Sequence, residues 1–124
     1  MTDVLHNDVF DSGLNVIDTN TEKLYILSAD PGLTWANIAS YALGNKATPA
    51  IAAPSDRSGG GREVVVSAIA DGTVTDTGTA THYALTDDSA EKILAAGDLA
   101  SSQAVTSGNT FTLTQFAIGI PDPA

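Results

Sequence analysis

The sequence contains no cysteine. That absence excludes a disulfide framework, thiolate catalysis and every cysteine-containing zinc site. Basic residues are scarce too: 5 Lys and Arg stand against 15 Asp and Glu, for a net charge of −10. Such a chain repels a polyanion, and no Lys/Arg cluster offsets the repulsion, so no nucleic-acid partner is expected. No apolar run approaches the roughly 20 residues of a membrane-spanning helix, so no membrane partner is expected either. The N-terminus lacks the basic region and apolar stretch of a signal peptide, which predicts a soluble protein made in the cytoplasm. Acidity of this strength suits solubility at high local concentration.

What is present is enough for a folded unit. Hydrophobic residues supply 43% of the 124 residues and charged ones 16%, which predicts a single domain with its own core rather than a disordered chain. Phe10, Leu14 and Ile17 recur at helical spacing after Asp3, Asp8 and Asp11, predicting a short amphipathic helix over about 8–17, weakened by Gly13. Asp18-Thr19-Asn20-Thr21 reads as a turn. Leu24-Tyr25-Ile26-Leu27 reads as a buried strand ending in the tight turn Asp30-Pro31-Gly32. Trp35, Ile38 and Ala42 suggest a short helix from Thr34 to Leu43, capped by Thr34 and ended by Gly44-Asn45, with an irregular loop as the alternative.

Residues 48–61 carry Pro49, Pro54 and Gly59-Gly60-Gly61, and read as a flexible surface loop or an arm that orders against a neighbour. Beyond it the chain reads as strands. Arg62–Ile69 precedes an Asp71-Gly72 turn and a short strand over Thr73–Thr77. Thr79–Thr86 alternates and, through Asp87-Asp88-Ser89, forms a hairpin with Lys92–Leu99. Gln103–Thr106 and Thr110–Leu113 flank Ser107-Gly108-Asn109, the signal of a second hairpin. Phe111 and Leu113 are out of phase with Phe116, Ile118 and Ile120, so a bend near Thr114-Gln115 is needed to put all five on one side, before Pro121 and Pro123 stop the sheet. The expected fold is mainly β: a single antiparallel sandwich or barrel with a short N-terminal helix.

Catalytic patterns fare poorly. His6 and His82 are the two histidines, neither in a metal-ligand spacing, and no serine sits in a G-x-S-x-G elbow. Asp87-Asp88 reads as a turn rather than a glycosidase pair or calcium loop, and Asp71, Thr73 and Asp76 make at best a loose calcium site. Gly59-Gly60-Gly61-Arg62 lacks the Lys-Ser/Thr pair of a phosphate loop. Neither enzyme activity nor a cofactor or metal is expected.

A more specific pattern lies in the order of segments. Leu24–Gly32 is an apolar strand ending in Asp-Pro-Gly. Tyr41-Ala42-Leu43-Gly44 follows, and then Gly78-Thr79-Ala80-Thr81-His82-Tyr83-Ala84-Leu85. Ile93-Leu94-Ala95-Ala96-Gly97-Asp98-Leu99 comes next, and Val105 to Leu113 is built around Ser107-Gly108-Asn109. This series, over about three quarters of the chain, resembles small tailed-phage virion structural proteins of the head-decoration and tail-fibre kind. The N-terminal helix and the 48–61 loop are less typical of that family.

The resemblance implies a β-sandwich that docks on a virion lattice, with major capsid protein or other virion subunits as partners. It implies a homo-oligomer, a trimer among the arrangements left open, and no catalytic residues to carry over. A capsid decoration (cement) subunit is the leading expectation. A tail-fibre, spike or baseplate component touching host glycans is the alternative, and a cell-wall enzyme is disfavoured by the search above. Trp35, Tyr41, Pro49, Ile51, Pro54, Arg57 and Arg62 are the candidate protein–protein contact residues, as an aromatic anchor set and the tips of the expected arm.

Overall fold

The computed structural model describes residues 7–122. Asp3, His6 and Pro123 lie outside them, as do the side chains of Asp8 and Phe10. Helix α1 spans Asn7–Asn20, longer at its end than expected. The hydroxyls of Thr19 and Thr21 donate back to the carbonyls of Asn15 and Ile17, each at 2.6 Å, so the expected turn residues finish the helix instead. Leu14 and Ile17 are buried on its inner face.

Six strands form one antiparallel sheet in the order β7-β6-β1-β2-β5-β8, and three form a second in the order β3-β4-β9. Their ranges are β1 Lys23–Leu27, β2 Ala42–Ala47, β3 Ser55–Asp56, β4 Arg62–Val66, β5 Ile69–Val74, β6 Gly78–Asp87, β7 Lys92–Val105, β8 Thr110–Leu113 and β9 Phe116–Ile120. This is a mainly β chain with a curled sheet and a smaller one, the sandwich- or barrel-like class expected. The strand centred on Leu24–Leu27 is where its composition puts it, in the middle of the large sheet between β2 and β6. Its Leu24 and Ile26 face the main core with Leu14, Val64, Val66 and Phe111. Leu27 faces the other way, into a smaller cluster with Ile38, Ala84 and Ile93. Each such Leu, Ile, Val or Phe side chain contributes about 1.5–3 kcal/mol on burial.

The large sheet curls for a reason visible in its topology. A flat sheet of six strands is about 24 Å from edge to edge at about 4.8 Å per strand. Its two edge strands, β7 and β8, are joined by residues 106–109 alone, and the five Cα steps from Val105 to Thr110 span at most about 18 Å. The sheet must therefore bend toward closure. Strand β7 accommodates the bend by irregular pairing with β6: Thr86 and Leu85 oppose Ile93 and Ala95, and His82 and Ala80 oppose Asp98 and Gln103. The extra residue Leu94 moves Ile93 to the outer cluster while Ala95 packs inward.

Several local expectations are corrected by this topology. Ser107-Gly108-Asn109 does not make a hairpin, because β8 pairs with β5 and not with β7. Asp71-Gly72 is not a turn but a register irregularity inside β5. Helix α2, Ala36–Tyr41, starts after Trp35 with no side-chain cap from Thr34 and runs directly into β2. Gly44 thus lies within a strand, where a Cβ would overlap the Thr73 carbonyl oxygen on β5. The bend at Thr114-Gln115 joins β8 to β9 in the other sheet. Phe111, Leu113, Phe116 and Ile118 then share the main core, while Ile120 stays 36% exposed.

Residues 48–61, expected as a flexible surface loop or an arm that orders against a neighbour, are mostly irregular and are held along the chain's own small sheet at a few backbone pairings. The Ala52 N–H donates to the Val65 carbonyl and the Ser67 N–H to that of Ala50. Ile51 bridges Val66 and β3 pairs with β4. Alternating Val64 and Val66 need a covered edge and an apolar lid, and this segment helps supply both. The three glycines that suggested mobility have φ of 89°, 102° and 94°, so they build the tight β3–β4 connection that other residues strain to adopt.

Candidate functional site: the open seam of the curled sheet

Curling brings the edges of β7 and β8 together without joining them. No backbone hydrogen bond crosses between β7 and β8 or β9 among the described residues. Among the described residues the hydrogen bond that links them comes from the side chain of Gln103, whose Nε2 donates to the Thr112 carbonyl at 2.9 Å. Between the edges lies a cavity of about 670 Å³. Its apolar lining comes from Tyr83, Leu99, Leu113 and Phe116, and its rim from Ser101, Gln103, Thr112, Thr114 and Gln115. The rings of Tyr83 and Phe116 pack with centroids 4.5 Å apart, tilted by 46°, which makes a firm aromatic base. Burial, followed by the nearby Asp98 charge, raises the Tyr83 hydroxyl above its ordinary value.

Asp98 is the one carboxylate among the lining residues, and no lysine or arginine joins it. Its side chain is 86% exposed and meets His82 Nε2 at 2.8 Å. The other imidazole nitrogen, Nδ1, lies 2.8 Å from the Thr81 hydroxyl. Thr81, His82 and Asp98 therefore form a hydrogen-bonded chain with the outline of a nucleophile, base and orienting acid. Neither Thr81 nor His82 lines the cavity, so the hydroxyl and imidazole are not presented to a molecule bound there. The chain of contacts ties β6 to β7 and leaves both ring nitrogens partnered.

The seven candidate contact residues do not form one patch. Trp35 and Tyr41 pack half-buried against the outer cluster of Leu27, Ile38 and Ile93. Ile51 packs on the main core, on the opposite side of the large sheet. Pro49 is buried within the chain and Pro54 partly so, and the Pro54 carbonyl accepts from Arg62. Arg57 holds the Gly60 carbonyl at 3.0 Å in the β3–β4 turn.

Arg62 is an internal tie. Its Nε and Nη2 grip Asp11 of α1 at 2.9 and 3.2 Å, and its Nη1 meets Asp56 of β3 at 2.8 Å. Hydrogen bonds to Asp11, then to Asp56, hold its guanidinium pKa above the ordinary value. Pro49 and Arg62 are thus committed to the subunit's own packing; Trp35 and Tyr41 stay half-buried, and Leu33, two positions before Trp35, is 76% exposed.

A second polar cluster lies at the β6–β7 turn. Tyr25 donates to Asp88 at 2.8 Å, Thr86 donates to the other oxygen of Asp88 at 2.6 Å, and Lys23 stands 3.4 Å away. Burial, then the hydrogen bond to Asp88, pushes the Tyr25 hydroxyl up to about 12. The Ser89 backbone N–H, with help from Asp87, holds the Glu22 carboxyl below its usual range, while the bond to Glu22 raises Asp87. These groups fasten the turn to β1. Asp71 of the loose calcium reading pairs with Lys46 at 3.0 Å, and no group of three or more metal-ligating side chains forms among the described residues. No helix among them is long and apolar enough to cross a membrane.

The seam was not legible in advance. Leu99, Gln103, Thr112 and Phe116 carry no motif, and they meet because two edges of one sheet converge. Comparison with family models, with curated proteins and with solved structures finds no match to this chain.

Proposed function

We propose that this chain is a structural subunit of a phage virion, a capsid decoration subunit that binds major capsid protein or neighbouring virion subunits through protein–protein contacts. The carrying observation is where the motif segments fall. Leu24–Leu27, Gly78–Leu85 and Ile93–Leu99 are parts of β1, β6 and β7, three adjacent strands of one sheet. Segments far apart in the chain that share one structural unit support reading the resemblance as one fold element and not as scattered matches. Half-buried Trp35 and Tyr41, with exposed Leu33 two positions before Trp35 in the chain, offer apolar anchors of the kind that subunit contacts use. A low content of charged residues, 16% of the chain, and a strand-rich body suit repeated packing in a symmetric shell.

The test is quantitative mass spectrometry of purified virions from the phage that encodes the chain. A head decoration subunit is present at hundreds of copies. A few tens or fewer assign it to the tail, where glycan contact becomes the matter to test. Absence from virions overturns the proposal.

A further inference from the structure

We infer that the seam between β7 and β8 is a docking site for one extended strand of another polypeptide, an alternating apolar segment carrying a lysine or arginine. This deepens the virion proposal by naming a gripping surface, but it rests on the geometry of the seam. Three strand edges border the cavity without a strand partner: the outer edges of β7, β8 and β9. Exposed edges of this kind are templates for a further strand.

The spacing of the gap agrees. The edges do not pair directly, yet one glutamine side chain spans them, since Gln103 Nε2 reaches the Thr112 carbonyl at 2.9 Å. That amide offers the Thr112 carbonyl the kind of donor that the backbone N–H of an inserted strand would offer in its place. The lining of Tyr83, Leu99, Leu113 and Phe116 accepts alternate apolar side chains of such a strand. Charge selects the occupant. Asp98 is the one carboxylate of the lining, with no lysine or arginine among the lining residues, and its side chain is 86% exposed beside the His82 imidazole. The chain as a whole carries −10, so an acidic segment is repelled and a basic one favoured.

The experiment is a backbone-amide NMR titration of the full chain with synthetic probes. The parent peptide is Lys-Val-Thr-Val-Thr-Val. One variant replaces the lysine with glutamate, and another replaces the central valine with proline, which removes a backbone donor. Maltopentaose is the fourth probe. The parent is expected to shift the amides of residues 99–102 and 112–117 and the side-chain amide of Gln103. The proline peptide should bind about tenfold more weakly, and the glutamate peptide several-fold more weakly, as loss of one hydrogen bond or one favourable charge contact implies.

Thr114→Trp, which fills the rim, should abolish the shifts while leaving those of β1 and β2 unchanged. Should that variant not fold, the peptide series on the natural chain decides. No shifts at the seam with millimolar parent peptide, equal binding of the proline peptide, or binding of maltopentaose in its place each overturns strand docking. None of these outcomes bears on whether the chain is found in virions, so the two proposals fail separately.

Discussion

The ring of Phe111 on β8 lies over Gly72, its register partner on β5, so closely that a Cβ on the glycine would overlap three ring atoms. Phe111 is 1% exposed and belongs to the main core. Gly72 is not among the residues with positive φ, so its lack of a side chain serves the ring and not the backbone. Gly72→Ala is expected to destabilise the fold by about 1–3 kcal/mol, the usual cost of overpacking. The urea midpoint measures it. Combined with Phe111→Leu, the loss should be smaller than the sum of the two single losses, because the same contact is relieved from both sides.

Arg62 joins α1 to the small sheet through Asp11 and Asp56. Lysine keeps the charge but not the planar fork that holds both oxygens of Asp11. Arg62→Lys should lower the unfolding midpoint, and Asp11→Asn in that background should add little further loss. Full additivity of the two changes in a double-mutant cycle would show that the pair is not coupled.

Tyr25 gives the fold an alkaline limit. Its pKa is raised in the folded chain to about 12 from an ordinary 10.0, so the neutral form is favoured by folding. The stability this supplies is complete below pH 10 and is lost as the pH rises from 10 toward 12, when the unfolded chain ionises first. Unfolding curves over that range should fall steeply for the natural chain and less steeply for Tyr25→Phe. The tyrosinate absorbance of the folded protein should show late-titrating hydroxyls, with Tyr83 also raised.

Leu33 is 76% exposed, so its replacement disturbs little packing. Leu33→Asp should change stability by no more than about 0.5 kcal/mol. The same change should reduce incorporation into virions if the patch with Trp35 is a contact face. Undiminished incorporation would assign the contact elsewhere.

Much of the architecture was written locally. The β1 strand, the Asp87-Asp88-Ser89 hairpin and the bend at Thr114-Gln115 all follow from alternation and turn residues, which depend on near neighbours alone. The α1 helix was legible in the same way, except at its end, where threonine hydroxyls bond back to the helix. The candidate contact set was less so. Arg62 and Pro49 carry the residue types of a surface arm, yet Asp11, 51 positions from Arg62, makes the arginine an internal tie.

The absence of cysteine, the acidity and the alternating strands by themselves determined a cysteine-free, acidic, mainly β domain. Tertiary structure decided which edges meet. Asp71-Gly72 and Ser107-Gly108-Asn109 have the residues of hairpin turns, but Phe111 needs the space over Gly72, and β8 finds its partner in β5. The reason is that side-chain periodicity reports which face of a strand is buried, whereas strand order depends on how far the whole sheet curls. That curl, set by distant pairings and a four-residue connection, is what opens the seam lined by Leu99, Gln103, Thr112 and Phe116.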